Sequence, residues 1–332
     1  MTTYSNTVRF AQTGDASVLQ FVEEEVHQPG ADEVLIRVRA IGLNRAEIMM
    51  REGAYIEQPQ LPSRLGYEAA GTVEAVGANV TGFQIGQRVS TVPAFSMSTH
   101  GVYGEYATVP AHAVAAAPEN LSDQEATSVW MPMITAYGAL VDIGQVSAGQ
   151  TVVITAASSS VGVAAIQMAK MLGATVIATT RGPEKRAALL EAGADHVVET
   201  DNQSLTETVA QLTDGEGAHV IFDPIGGPIL DDLAAIAAQG ATIVEYGALD
   251  PRPTPYPLFA ALQKGLKIIG YTLFEVTQDA EKLDVAKTFV LRGLQAGKLR
   301  PVIDKEFPFA EIQDAHRYME AGQQVGKIVV TV

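Results

Sequence analysis

Residues 151–181 constrain the fold more than any other stretch. Thr151-Val152-Val153-Ile154-Thr155 is apolar and β-branched, and Ala156-Ala157-Ser158-Ser159-Ser160-Val161-Gly162 is a run of small residues. Residues 163–172 then carry apolar side chains at helical spacing, and 174–180 are β-rich again. Strand, tight turn, helix and strand within about 30 residues is the pattern of a βαβ unit that seats a dinucleotide pyrophosphate on a helix N-terminus. In the frame G-x-G-x-x-G the glycine positions are Ala157, Ser159 and Gly162. Only the last glycine, which lets helix and strand pack closely, is present, but Ala and Ser still leave room for a phosphate. Ser159, Ser160, Val161 and Gly162 are therefore expected to meet the pyrophosphate.

The end of the second strand sets cofactor choice. An NAD site carries Asp or Glu there, about 20 residues past the turn, on the ribose 2′-hydroxyl. This chain has Thr179, Thr180 and Arg181, with Lys185 one helical turn on. A guanidinium pairs with a 2′-phosphate that a carboxylate would repel. The expectation is NADPH, with Thr180, Arg181 and Lys185 around its 2′-phosphate.

The chain's 332 residues suggest two domains. A net charge of −16 and the lack of a basic run argue against nucleic-acid or anionic-membrane partners. Cysteine is absent, which excludes disulfides, a thiolate nucleophile and Cys-built zinc sites. His27, His100, His112, His196, His219 and His316 form no i,i+2 or i,i+4 pair, so no metal site is expected. No apolar stretch approaches a membrane span, and the first ten residues have no signal-peptide shape. A cytoplasmic location is the expectation.

Before residue 125 the chain shows short β-rich runs at 33–41, 69–80 and 88–92, split by Gly and Pro. That spacing reads as a compact, partly open β-barrel. Ser122 followed by Glu125 predicts a capped helix start, and a helical segment over 130–141 is expected to break at Pro132. Strands are then predicted at 151–155, 175–179, 196–199, 219–223, 242–246 and 267–270, with helices at 163–172, 183–191, 205–212 and 229–238. Six strands with helices between them predict a doubly wound parallel sheet. A helix over 279–295 and strands near 302–303 and 328–332 follow. The predicted organisation is a nucleotide domain, 126–271, inserted between the halves 1–125 and 272–332 of a β-rich catalytic domain.

Three segments resemble the medium-chain dehydrogenase/reductase superfamily, and within it the zinc-independent quinone oxidoreductase (zeta-crystallin-like) branch. They are Ala40-Ile41-Gly42-Leu43-Asn44-Arg45-Ala46-Glu47 through Arg51-Glu52-Gly53-Ala54-Tyr55, then Gly66-Tyr67-Glu68-Ala69-Ala70-Gly71 through Gly77 with Gly86-Gln87-Arg88-Val89, and the nucleotide turn. The resemblance implies a Rossmann domain inserted in a GroES-like domain, with nicotinamide in the cleft between them. Zinc-bearing relatives place ligands where this chain has Leu43 or Asn44, and Tyr67.

The same resemblance puts Asn44 near the nicotinamide ribose, runs the segment of Thr135 past the nicotinamide as a contact, brings main chain at Gly247, Ala248 and Phe274 near the nicotinamide, and lets Tyr55 line an acceptor pocket. Tyr67, at the vacated ligand position, is a second hydroxyl able to bond an acceptor carbonyl, so Asn44, Tyr55 and Tyr67 are the catalytic candidates. Glu68 is expected to shape the cleft. Lys327, just before the last strand, is expected to reach a cofactor phosphate.

The implied activity is hydride transfer from NADPH to a quinone or to the β-carbon of an α,β-unsaturated carbonyl. An enoyl-thioester or acrylate reductase on the same scaffold is the alternative, with Arg45, Arg51 and Arg64 in loops able to supply a cation for an acidic substrate. A non-catalytic NADPH-binding role is a third reading. The family likeness also implies a homodimer, formed through an edge strand of the nucleotide domain.

Overall fold

The computed structural model describes residues 3–332, which divide into two compact units, residues 3–131 with 301–332 and residues 132–300. The first unit begins with strands β1 (Tyr4–Arg9), β2 (Gln20–Glu25), β3 (Glu33–Gly42), β4 (Glu68–Val76), β5 (Arg88–Thr91), β6 (Tyr106–Pro110) and β7 (Val114–Ala116). The second unit holds β8 (Thr151–Ile154), β9 (Thr175–Thr180), β10 (His196–Glu199), β11 (Ala218–Asp223), β12 (Ala237–Glu245) and β13 (Lys267–Gly270). Strands β14 (Ile303–Pro308) and β15 (Lys327–Thr331) return to the first unit.

In the first unit the main sheet runs β14-β15-β3-β4-β5-β7, and β6 pairs with β3. Strand β3 is its centre, because Val34, Ile36, Val38, Ala40 and Ile41 are all essentially buried. Shifts of register at Leu35/Ile36 and Val38/Ala40 mark bulges against β4, the device by which a sheet bends. Strands β1 and β2 form a separate antiparallel pair that the sequence reading did not name. Their residues, including Gln20 and Glu23 to Glu25, are too polar to stand out as strands.

The second unit is a six-stranded parallel sheet in the order β10-β9-β8-β11-β12-β13. Numbered within the unit this is 3-2-1-4-5-6, the order of a doubly wound dinucleotide-binding sheet. Continuous apolar stretches make its strands core on both faces. Val153, Ile177, Val198, Ile221 and Ile243 pack with Leu230 and Leu233 of the helix Ile229–Ile236.

Two details depart from the expected layout. The helix Ala280–Gln295 belongs to the nucleotide unit, whose limits are 132–300 rather than 126–271. Gly293 explains this: a Cβ there would lie 2.5 Å from Leu299 and 3.3 Å from Met171, so the helix packs too closely for any side chain. The Arg300 N–H also donates to Gln167 at 2.9 Å. Secondly, Pro132 does not break its helix, Trp130–Tyr137. It is the third residue, where an N–H has no intrahelical acceptor to lose.

Candidate active site

Each unit carries one constellation of functional side chains. In the first unit, Asn44 starts the helix Arg45–Glu52 with extended backbone and closes a capping box with Glu47. The Asn44 N–H donates to Glu47, and its Nδ2 donates to Glu47 Oε1 at 3.1 Å. Glu47 Oε1 also accepts the Tyr67 N–H at 3.2 Å. One fully buried carboxylate therefore ties the helix start to the strand-entry segment at Tyr67. Burial pushes Glu47 up to about 7, against the pull of the nearby Lys327 ammonium and its hydrogen bonds from Asn44 and Tyr67.

Lys327 completes the cluster. It is 1% exposed, and its ammonium donates to Asn44 Oδ1 at 2.5 Å and to Glu68. Glu68, also buried, accepts the Met131 N–H at 2.8 Å through its other oxygen. The lysine stem passes Gly42, where a Cβ would meet Lys327 Cε at 2.7 Å and the Thr127 carbonyl at 2.2 Å. This corrects the expectation for Lys327: its charge is sequestered on Glu68 and Asn44 and does not reach out to a phosphate. Asn44, 8% exposed, is likewise held by Gly42, Glu47 and Lys327, which makes it a rigid anchor.

Tyr67 is fully buried, between Tyr55 and Phe95 at ring distances of 6.5 Å and 5.7 Å. Burial pushes its phenol well up, and the neighbouring Tyr55 adds to the shift. Burial pushes Tyr55 up to about 12, opposed by a hydrogen bond from Tyr67. Both therefore keep their protons across the neutral range, with Tyr55 the more exposed of the two. The loop after Tyr55 is pinned because Glu57 accepts from Ser96 and from the N–H groups of Met97 and Ser98 at 3.3 Å.

In the second unit, β8 enters the turn through Ala156, whose φ of 43° is unusual for a residue other than glycine. Ser159 caps the helix Ser160–Met171 by accepting the Gly162 N–H at 3.0 Å. Gly162 must be glycine, since a Cβ would come within 2.5 Å of the Ala157 carbonyl. The first N–H groups of such a helix have no intrahelical partner and form an anion seat.

The cationic edge joins this turn directly. Lys185 Nζ donates to Ser158 Oγ at 3.0 Å, and Arg181 follows the end of β9, exposed. Gly247 and Ala248 follow β12, and Phe274 lies just past β13, so they share the carboxyl edge of the sheet with the turn. Thr135 is buried in a helix whose Ile134 carbonyl accepts the Tyr271 hydroxyl at 3.4 Å, on the segment leading to Phe274.

Residues 30–119 match the alcohol dehydrogenase GroES-like domain, and residues 160–288 match the family described as zinc-binding dehydrogenase. The chain is 31% identical to a quinone oxidoreductase of Pseudomonas aeruginosa, over 97% of this chain and 98% of the relative. The Escherichia coli quinone oxidoreductase complexed with NADPH superposes with a TM-score of 0.90 at 26% identity, covering 98% of this chain and all of that one. The CurK enoyl reductase superposes with a TM-score of 0.88 at 26% identity, over 98% and 99% of the two chains. The chain belongs to the medium-chain dehydrogenase/reductase superfamily. Within it, the chain falls in the quinone oxidoreductase branch.

The first matched segment holds Asn44, Tyr55, Tyr67 and Glu68, and the second begins at Ser160, within the nucleotide turn, and holds Arg181 and Lys185. Among the described residues no group of three or more His, Cys, Asp or Glu side chains is placed to hold a metal ion. Two of the three arginines weighed for an acidic substrate are otherwise engaged. Arg51 is fully buried in the helix Arg45–Glu52, where it bonds the Gly14 carbonyl at 3.0 Å, His316 at 3.1 Å, Glu52 and Glu320. Arg64 pairs with Glu24 at 2.6 Å. Arg45, also in that helix rather than in a loop, is half-buried.

Two carboxyl groups beside these segments carried no role in the sequence reading. Glu47 was read as part of a motif and given no role. Its signal was the Asn44-x-x-Glu47 capping spacing. Glu245, which ends β12 against Asp223, left no such signal, because the two are neighbours only through strand register.

Proposed function

We propose that the chain is a zinc-independent, NADPH-dependent reductase that transfers hydride to a quinone or an α,β-unsaturated carbonyl. The observation that carries this is the cationic edge: Arg181 and Lys185 stand where an NAD site needs a carboxylate, and Lys185 is bonded to the nucleotide turn itself. The full-length likeness to quinone oxidoreductases, one of them described with NADPH, supports it. When bound, the cofactor supplies the hydride. Ser159, Ser160, Val161 and Gly162 would hold its pyrophosphate, and Arg181 and Lys185 its 2′-phosphate.

Charge building on the acceptor oxygen needs hydrogen-bond donors where no metal serves. Tyr55 is the donor we assign, with Tyr67 orienting it. Its raised pKa keeps the proton available throughout the neutral range. NADPH oxidation, followed by loss of absorbance with benzoquinone, phenanthrenequinone and a simple enone, tests the reading. NADPH-selective turnover is expected; none with any of these acceptors refutes it. Tyr55→Phe should lower kcat by about 10²-fold, a usual range for removing a general acid, while leaving the KM for NADPH unchanged. A variant with full kcat would place the proton donor elsewhere.

The likeness to an enoyl reductase favours a second reading, an enoyl-thioester reductase. The engagement of Arg51 and Arg64 with carboxylates weighs against it. An enoyl thioester that outruns every quinone and simple enone in the same screen would reverse the order.

We also propose a homodimer formed through the β13 edge. Among the described residues strand β13 pairs only with β12, and the helix before it, Leu258–Lys264, exposes Phe259 and Leu262 at 84% and 71%, beside Tyr256. Rows of open strand hydrogen bonds next to exposed apolar side chains call for a covering partner. Phe259→Glu with Leu262→Glu should convert a dimer to a monomer in sedimentation velocity. An unchanged sedimentation coefficient removes this interface.

A further inference from the structure

Two carboxyl groups meet at the carboxyl edge of the second unit's sheet. Asp223 ends β11, Glu245 ends β12, and the strand register places them side by side. Asp223 is fully buried, which raises its carboxyl against the pull of the donors around it. One oxygen takes the Thr155 hydroxyl, at the entry to the nucleotide turn, and the other takes the Gly226 N–H at 2.7 Å. Glu245 lies against it, and among the described residues neither carboxyl has a basic partner. Two adjacent carboxyls, Asp223 fully buried and Glu245 half-buried against it, do not both ionise readily. The proton belongs to Glu245, because Asp223 holds the stronger donors.

This acid sits under the segments expected to carry the cofactor. Gly226 and Gly227 follow Asp223 with φ of 64° and 66°, a left-handed pair open to glycine alone. Their turn is stitched to the segment after β12: Tyr246 N–H bonds the Asp223 carbonyl at 2.9 Å, Leu249 N–H that of Pro224 at 3.0 Å, and Asp250 N–H that of Ile225 at 2.9 Å. Gly247 lies inside this stitching, where a Cβ would approach the Pro224 carbonyl to 2.8 Å.

The other titratable groups around the pair are few. The Tyr246 phenol is pushed up by burial and by Asp223, lies stacked on Phe222 at 4.0 Å, and is bonded to Ser159. Tyr271 bonds the Glu245 carbonyl through its N–H at 2.8 Å and turns its hydroxyl to Ile134. Asp250 is held by Arg252 beyond Gly227.

We infer that Glu245 is a positioning residue for cofactor binding. As a carboxylic acid it shares its proton with Asp223 and holds the turn 223–227 and the segment 246–250 in their binding conformation, so that its ionisation weakens NADPH. The inference rests on NADPH as the cofactor. Burial and the Asp223 charge push Glu245 up to about 9. Its folded pKa thus lies above its unfolded one. Between about pH 4.5 and about pH 9 Glu245 thus holds a proton in the folded chain that it has lost in the unfolded one, and its contribution to stability falls as pH rises through that window.

The test compares the wild type with Glu245→Gln, a neutral isostere, using two readouts. NADPH affinity, measured by fluorescence titration, should weaken about fourfold in the wild type from about pH 7.5 to about pH 9.5, as loss of a proton at about pH 9 requires. The variant should show a flat profile there. The Tm without nucleotide should fall with pH in the wild type and fall less in the variant. Identical pH profiles for both proteins in either readout overturn the inference. No NADPH binding at any pH, with the Tm difference intact, overturns the cofactor assignment and leaves the shared proton standing.

Discussion

Lys327→Met will cost roughly 3–5 kcal/mol of unfolding free energy, the range for removing one partner of a buried ion pair. The methionine fills much of the same volume, so the loss is electrostatic rather than a cavity. Glu68 is fully buried and keeps the Met131 N–H as a donor while it loses the ammonium, and Asn44 Oδ1 loses its ammonium partner. Glu47 is affected as well. Lys327 is the largest influence holding its carboxyl down, so removing it pushes Glu47 above its present value of about 7 and the cluster takes up a proton. Lys327→Met with Glu68→Gln removes both charges and should recover more than half of the loss, since a buried pair is worth little against neutral replacements. Chemical denaturation at constant m-value measures both variants. A single variant within 1 kcal/mol of wild type, a threshold at the level of an ordinary surface ion pair, would mean that water reaches Glu68.

The contrast between what the sequence revealed and what it hid follows from the range of the interactions. The nucleotide unit was readable because its signals are local. Small residues at 156–162, β-branched runs and short helices each act within a few positions, and β10, β13 and the helix Leu205–Leu212 start and end where the pattern put them. Lys327 was misread because its partners, Glu68 and Asn44, are 259 and 283 residues away. A lysine before a strand looks like any solvated cation until β15 pairs with β3 and carries it inward. Arg51 hid for the same reason, since its partners His316 and Glu320 lie on the last helix, Ile312–Ala321. There burial pushes His316 down to about 3, and the Arg51 charge adds to it, so the imidazole stays neutral and bridges Arg51 to Tyr103 at 3.1 Å on each side. Polarity alone assigns such residues to the surface, whereas in the structure they bind the ends of the first unit together.

Arg181→Ala with Lys185→Ala should produce the largest functional effect: NADPH binding weakened by about 10²- to 10³-fold, and NADH by less than about threefold. A hydrogen bond to a charged group contributes about 1.5–3 kcal/mol, which is roughly 10- to 100-fold in affinity per side chain. Arg181 is exposed, so its share falls at the lower end and shrinks as salt is added. Lys185 is half-buried and already oriented by Ser158, so less of its freedom is lost on binding, and its share should be the larger. The salt dependence separates them: Lys185→Ala alone should leave a protein whose NADPH affinity drops steeply with ionic strength, whereas Arg181→Ala alone should not. Thr180→Asp supplies the carboxylate that an NAD site uses, at the end of β9, and should invert the preference by repelling the 2′-phosphate while offering the 2′-hydroxyl a partner. Titration of both nucleotides against the wild type and the four variants decides the matter. Equal losses for NADPH and NADH in the double variant would mean that Arg181 and Lys185 act on the shared part of the cofactor, and the 2′-phosphate would then need another partner on this edge of the sheet.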